Sequence, residues 1–178
     1  VVDEVLAGFP DGAERCSAAP REGSARRRFA LSLSRRLADD CASTLLAELH
    51  TSDPQDREVA QARAALLFRS SDPESARAAA VVLRDGLAPI DGHTILARLS
   101  ASDVEAEPHW RAALALADGE SRLRPLAELG DLLLRARRVD EVRGVVRAQR
   151  ARGGLTQSVR ARCLFLEGQA AAAEGERQ

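Results

Sequence analysis

The sequence predicts an all-α protein, and three observations carry that reading. Apolar residues recur at helical spacing in one segment after another. Gly, Pro and Asp-Pro breaks separate those segments at helix-length intervals. Residues that favour strands are scarce, with aromatics at 3%, one Trp, four Phe and no Tyr. A chain with 45% apolar and 30% charged residues is packed rather than disordered. Its core must be built mainly from Ala and Leu, which suits closely packed helices. The 178 residues fit one domain or a short repeat array.

Residues 1–9 form two helical turns ending at Pro10, and 11–23 read as a connection with room for one turn inside. Residues 1–22 are therefore assigned to a partial helix and connection, and 23–178 to the main domain. A helix over 25–37 places Phe29, Ala30, Leu33 and Leu37 on one face, and Asp39-Asp40 starts a second through Cys41, Ala42, Leu45, Leu46 and Leu49. Ser52-Asp53-Pro54 opens a third helix to about Arg69, with Asp53 as the cap and Pro54 at the first helical position. Ser71-Asp72-Pro73 repeats that signal for a fourth, over 73–84, stopped by Gly86. Asp91-Gly92 opens a fifth helix containing Ile95, Leu96 and Leu99. The sixth starts at Pro108, which fits poorly inside a helix, and ends at Asp118-Gly119. The stretch 126–142 gives a seventh helix with Leu126, Leu129, Leu133 and Leu134 on its apolar side. After an Arg-Arg break comes an eighth, over 139–152. Gly153-Gly154 ends that pair, and a ninth helix over 157–174 closes on Gly175. Gly130 sits inside a leucine helix, where glycine costs roughly 1 kcal/mol against alanine, so close helix–helix packing is expected there.

Self-similarity organises these elements. Ala30, Ala64, Ala97 and Gly130 recur at intervals of 34, 33 and 33, and Gly168 follows 38 further on. Ala42 and Ala76 are 34 apart. Ala30, Ala64 and Ala76 are expected at close helix crossings, where a larger side chain would overpack.

Leu129-Gly130 with Leu133, Val139-Asp140-Glu141-Val142, and Asp72-Pro73-Glu74-Ser75-Ala76 resemble the two helices of tetratricopeptide repeats. Leu166, Gly168 and Gly175 resemble a last first-helix without a partner. The resemblance covers about 23–175. It implies a right-handed α-solenoid of stacked antiparallel helix pairs, about four pairs plus a terminal helix, in which one pair cannot bury its own apolar face. It also implies a concave groove lined by first helices that holds a peptide or partner domain. The positions carried over are Arg27, Leu31 and Arg35; Gln61, Phe68 and Arg69; Arg98; Arg124, Asp131 and Arg135; and Arg162 with Phe165. Such an Arg-lined trough suits an acidic or carboxylate-bearing peptide, because guanidinium pairs carboxylates bidentately. The family's carboxylate-clamp subtype uses Lys and Asn, both absent from this chain.

Charge and chemistry narrow the function. The formal charge is −1, so no bulk attraction to nucleic acid or anionic lipid is expected. Every basic residue is Arg, which reads as GC-rich coding of a bacterial type. No run approaches the roughly 20 apolar residues needed to span a bilayer. Nucleophile-elbow, zincin, phosphate-loop and dinucleotide motifs are missing. His50, His93 and His109 lie in three different units and read as ordinary solvated histidines. Neither a catalytic group, nor a metal site, nor a cofactor is expected. Asp39-Asp40 and Asp140-Glu141 read as helix-start carboxylates. Three cysteines favour reduced thiols and a cytoplasmic setting, with a Cys16–Cys41 bridge as the open alternative; Cys41 and Cys163 read as buried small apolar residues. Arg26-Arg27-Arg28 is disfavoured at a helix start, so that helix is expected to begin earlier, near Pro20.

The expected function is a non-catalytic protein–protein interaction or scaffold module. Two alternatives are a regulatory segment of a larger effector and a nucleic-acid-binding array. The last would use the nine Arg between Arg135 and Arg162, which face only two acidic residues over the eighth-helix start.

Overall fold

The computed structural model describes residues 12–21, 23–36, 40–70 and 72–175, and every regular element among them is helical. The expected helix over 1–9, Leu37 and Asp39 lie outside the described residues. The chain divides into two units, Val1–Ile95 and Leu96–Gln178.

The first unit holds α1 (Gly12–Ser17), α2 (Gly23–Arg36), α3 (Asp40–Ser52), α4 (Arg57–Arg69), α5 (Pro73–Val82), a π-helical turn (Leu83–Leu87) and most of α6 (Pro89–Leu99). Here α1 packs on α3, α2 on α3 and α4, α3 on α4, and α4 on α5 and the π turn. Phe29, Ala30 and Leu33 of α2 join Cys41, Ala42, Leu45 and Leu46 of α3 and Val59 and Leu66 of α4 in one buried cluster. A second cluster gathers Ala60, Ala64, Leu83 and Ala88, with Ile95 packed against it.

Several boundaries differ from the sequence expectation, each for a local reason. Asp53 does not cap α4: its carboxylate accepts from Gln55 N (3.1 Å), which closes a turn through Pro54. Asp56 is the cap, accepting from Glu58 N (3.1 Å) and Val59 N (3.2 Å). The second Asp-Pro signal behaves as expected, with Asp72 accepting from Ser75 N (3.0 Å) and Pro73 in the first turn. Gly86 does not stop α5, because the chain widens into the π turn and carries on to Ala88. α6 begins at Pro89, so Asp91 and Gly92 lie inside its first turns rather than ahead of them. The backbone of the preceding segment comes close there: a Cβ on Gly92 would stand 2.6 Å from Arg84 Cα and 2.7 Å from Ala80 O.

Cys16 and Cys41 form a disulfide, with their Cα atoms 5.3 Å apart. The expectation of reduced thiols is corrected at this pair. Packing of α1 on α3 brings the two side chains together, and sequence spacing alone could not show that. Arg26 explains part of the basic cluster at the start of α2: it donates to Pro20 O (3.0 Å) and pairs with Glu48. α2 starts at Gly23, two residues before the expected 25 and well after Pro20.

The second unit holds α7 (Asp103–Leu116), a 3-10 turn (Gly119–Arg122), α8 (Leu123–Arg135), α9 (Val139–Arg152) and α10 (Gln157–Gly175). α7 packs on α8, α8 on α9 and α10, and α9 on α10. Trp110, Leu126, Leu129, Leu133, Val142, Val146, Val159, Cys163 and Leu166 share one core. α7 starts five residues before the expected Pro108. Ser102 Oγ accepts from Glu105 N (3.3 Å) and the Glu105 carboxylate accepts from Ala101 N (3.1 Å), a reciprocal cap that carries the helix through the proline. α8 ends in a Schellman motif: Arg138 N donates to Leu133 O and Arg137 N to Leu134 O, each at 2.9 Å. Arg137 takes the left-handed conformation there, at φ 57°. Arg138 occupies the position before α9, so Asp140 and Glu141 sit in its first turn rather than at its cap.

The repeat register reads more evenly in the structure than in the sequence. Ala30 and Ala64 are fully buried, Ala97 and Gly130 are buried, and Cys163, 33 residues after Gly130, is fully buried too. Gly168 is exposed, and a Cβ there would touch nothing within 4 Å. Cys163 is thus the small buried residue of α10 at an interval of 33, where Gly168 stands at 38 and is exposed.

Candidate partner-binding surface

In the first unit Leu31, Arg35, Gln61 and Arg69 line one hollow, and Arg27 and Phe68 lie outside its lining. Leu31, Ser34 and Arg35 of α2 and Glu58, Gln61, Ala62, Ala65 and Arg69 of α4 line one hollow of about 240 Å³. Helical spacing accounts for this: 31, 34 and 35 form one stripe of α2, and 58, 61, 62, 65 and 69 the facing stripe of α4. Leu31, Ala62 and Ala65 give an apolar floor, Ser34 is buried, and Arg35, Glu58 and Arg69 stand exposed along the rim. Phe68 is half-buried and outside that lining.

The arginines of this hollow, Arg35 and Arg69, and Arg27 outside its lining are tied to the protein itself. Arg27 donates to Asp56 (2.6 and 3.0 Å) and to Glu58 (2.9 Å). Arg35 pairs with Glu58 at 3.1 Å, Arg69 donates to Ser34 O, and Gln61 donates to Asp91 at 2.5 Å. The Arg27 guanidinium holds the Asp56 carboxyl below the usual carboxylate range. The hollow is thus a mixed-charge rim around a small apolar floor, not an uncompensated cationic trough. Arg35 keeps 72% of its side chain exposed and stays available at the rim.

The second unit spreads its candidates over α6, α8 and α10. Arg135 pairs with Asp103 (2.9 Å), and Arg162 donates to Asp131 (2.6 Å) and Ala127 O (3.1 Å). Arg162 also lies over the Phe165 ring, 5.0 Å from its centre. Arg98 and Arg124 are both exposed, and burial, then the Arg124 charge, lowers the Arg98 pKa while Glu128 opposes the shift. Like charges therefore face one another at that place.

The nine-arginine segment is largely neutralised. Arg138 pairs with Glu107 (2.6 Å) and Glu141 (2.6 Å), Arg143 with Glu174 (2.5 Å), Arg150 with Glu167 (2.7 Å), and Arg152 donates to Leu114 O (3.1 Å). The carboxylates come mainly from neighbouring helices, which is why a count along 135–162 suggested an excess. Arg122, which no sequence motif marks, is buried and donates to Gly153 O (2.7 Å), fastening the 3-10 turn to the end of α9.

A second hollow, of about 200 Å³, lies among His50, Ala60, Arg63, Ser75, Ala78, Ala79 and Val82. His50 Nδ1 is buried without a hydrogen-bond partner. Sequence spacing could not single out this histidine, since its neighbours come from α4 and α5. Among the described residues no three His, Cys, Asp or Glu side chains group as metal ligands. No helix is long and apolar enough to cross a membrane among those residues. No family model, curated protein or solved structure matches the chain.

Proposed function

We propose that this chain is a protein-interaction module of tetratricopeptide-like helix pairs that holds an extended peptide segment in the hollow between α2 and α4. The observation that carries this reading is the convergence there of Leu31, Arg35, Gln61 and Arg69, four of the positions that the tetratricopeptide resemblance implies for a groove. Packing within each unit supports it: α2 touches both α3 and α4, and α8 both α9 and α10, as stacked repeats do. The hollow accommodates one or two side chains, and its rim offers both a guanidinium and a carboxylate. A segment with a small apolar residue flanked by polar groups fits it better than a purely acidic tail, because Glu58 already pairs with Arg35.

Selection of a displayed random-peptide library on the folded chain tests the proposal. Selected peptides should share a small apolar residue and lose at least about tenfold in affinity to Ala65→Leu, which fills the floor without changing charge. Peptides unaffected by that substitution, or no enrichment at all, would overturn it.

A further inference from the structure

We infer that the hollow among α3, α4 and α5 is a binding site for a small molecule that carries one carboxylate on an apolar body. α3 and α5 both pack on α4, and the hollow of about 200 Å³ opens between them over Ala60 and Arg63. Helical spacing turns Ala60 and Arg63 to the side of α4 opposite Gln61, Ala62, Ala65 and Arg69. The site therefore shares no residue with the α2–α4 hollow and does not rest on the peptide reading.

Two polar side chains of this hollow are spent on nothing in the fold. Among the described residues, every other arginine that is not exposed has a hydrogen bond or an ion pair, as Arg122 has with Gly153 O (2.7 Å) and Arg162 with Asp131 (2.6 Å). Arg63 is half-buried and has neither. The His50 ring makes no hydrogen bond within the fold either, and its Nδ1 is buried. Polar groups so placed are normally satisfied, and a ligand can supply what the fold does not. A guanidinium and an imidazole N–H both donate, and a carboxylate is the acceptor that a guanidinium matches bidentately.

The rest of the site sets the ligand's size and direction. One fixed positive charge matches one carboxylate. A phosphate dianion fits less well, because Asp72 stands at the Ser75 edge, accepting from Ser75 N (3.0 Å). Ala78, Ala79 and Val82 of α5 give an apolar wall, and Val82 is 50% exposed. His50 and Val82 also line an adjoining hollow of about 550 Å³, together with Pro54 and Leu87. Leu87 reaches it from the π turn, a backbone form that recurs at functional sites. Asp85 of the same turn lines that second hollow and is paired with Arg84 (2.7 Å). An anion is thus favoured at Arg63 and disfavoured beyond Val82, where an apolar body finds Leu87 and Pro54.

Histidine resonances test the site, because the chain has three histidines, His50, His93 and His109. Titrating the whole chain with hexanoate at constant pH and ionic strength should move the His50 ring signals along a saturating curve and leave the other two in place. Arg63→Gln and Ala79→Leu should each weaken hexanoate at least about tenfold, with helical circular dichroism unchanged. Ala79→Leu changes no charge and decides the matter alone if Arg63→Gln loses helicity. Arg57→Gln, at an exposed arginine of the same helix, and Ala65→Leu, in the α2–α4 hollow, should leave the affinity as it is. Hexanol and inorganic phosphate should each bind at least about tenfold more weakly than hexanoate. No saturable shift of His50 up to about 50 mM hexanoate overturns the inference, as does hexanol or phosphate binding equally tightly. Hexanoate affinity unchanged in folded Arg63→Gln overturns it as well.

Discussion

Leu166 of α10 occupies the space that a side chain on Gly130 of α8 would need: a Cβ there would lie 2.6 Å from Leu166 Cδ1 and 3.1 Å from Cγ. Gly92 is confined too, but by backbone rather than by a side-chain tip, and Gly144 of α9 faces open space. These three glycines should therefore respond differently to alanine. Gly144→Ala should stabilise by about 0.5–1 kcal/mol, the ordinary helix preference. Gly130→Ala gains the same preference but forces a fully buried leucine to move, and a net loss of up to about 2 kcal/mol is expected. Gly92→Ala should cost most, since α6 and the π turn must separate. Urea midpoints in the order Gly144→Ala above wild type above Gly130→Ala above Gly92→Ala check the prediction; equal midpoints would dismiss the close approaches.

The sequence revealed helix positions wherever one residue type has one plausible job. Gly130, Asp72-Pro73 and Gly153-Gly154 are such cases, and the small residue every 33 or 34 positions is another. It misled where two candidates compete within a turn. Asp53 and Asp56 are three apart, and only the geometry of Pro54 decides that the first makes a turn and the second a cap. Ser102-x-x-Glu105 is a capping signal that competes with Pro108, which by itself points to a later start. The groove stripe on α2 and α4 followed from the tetratricopeptide resemblance. The pairing of Arg27 did not, because Asp56 and Glu58 lie 29 and 31 residues away from it. A window of one helix cannot see that distance.

Arg137 adopts φ 57° at the Schellman position after α8, which most residues other than glycine find unfavourable by about 1–2 kcal/mol. Arg137→Gly removes that strain at some cost in chain entropy. The expected net result is a gain of up to about 1 kcal/mol, read as a higher thermal midpoint. A lower midpoint would show that contacts of the Arg137 side chain outweigh the strain.

Two carboxylates make the fold sensitive to acid. Hydrogen bonds from Arg27 hold Asp56 below its ordinary pKa, and hydrogen bonds from Arg138 do the same for Glu107. A depressed pKa in the folded state means that the unfolded chain binds more protons, so stability rises with pH across this window. The stabilisation is complete above the unfolded values, about pH 4, and is lost as pH falls through the lower folded ones. Melting temperature should hold steady from pH 7 to 5 and then drop. Asp56→Asn and Glu107→Gln should each be less stable than wild type at pH 7 and show a shallower acid decline. Parallel acid profiles for all three proteins would remove these ion pairs from the explanation.

The Cys16–Cys41 disulfide closes a loop across a sequence separation of 25 and ties the short helix α1 to α3. Loop closure of that length is worth about 3 kcal/mol through the unfolded chain's lost freedom. Six-residue α1 has too few turns to hold itself in place, so the bond should also govern its order. Reduction, or Cys16→Ser with Cys41→Ser, should lower the urea midpoint and expose the α1 amides to rapid hydrogen exchange. Cys163 is buried in the second unit and its thiol is pushed up by burial, so it should stay unreactive to alkylating agents until that unit opens. If α1 amides keep full protection after reduction, packing against α3 alone holds the helix and the covalent link adds little.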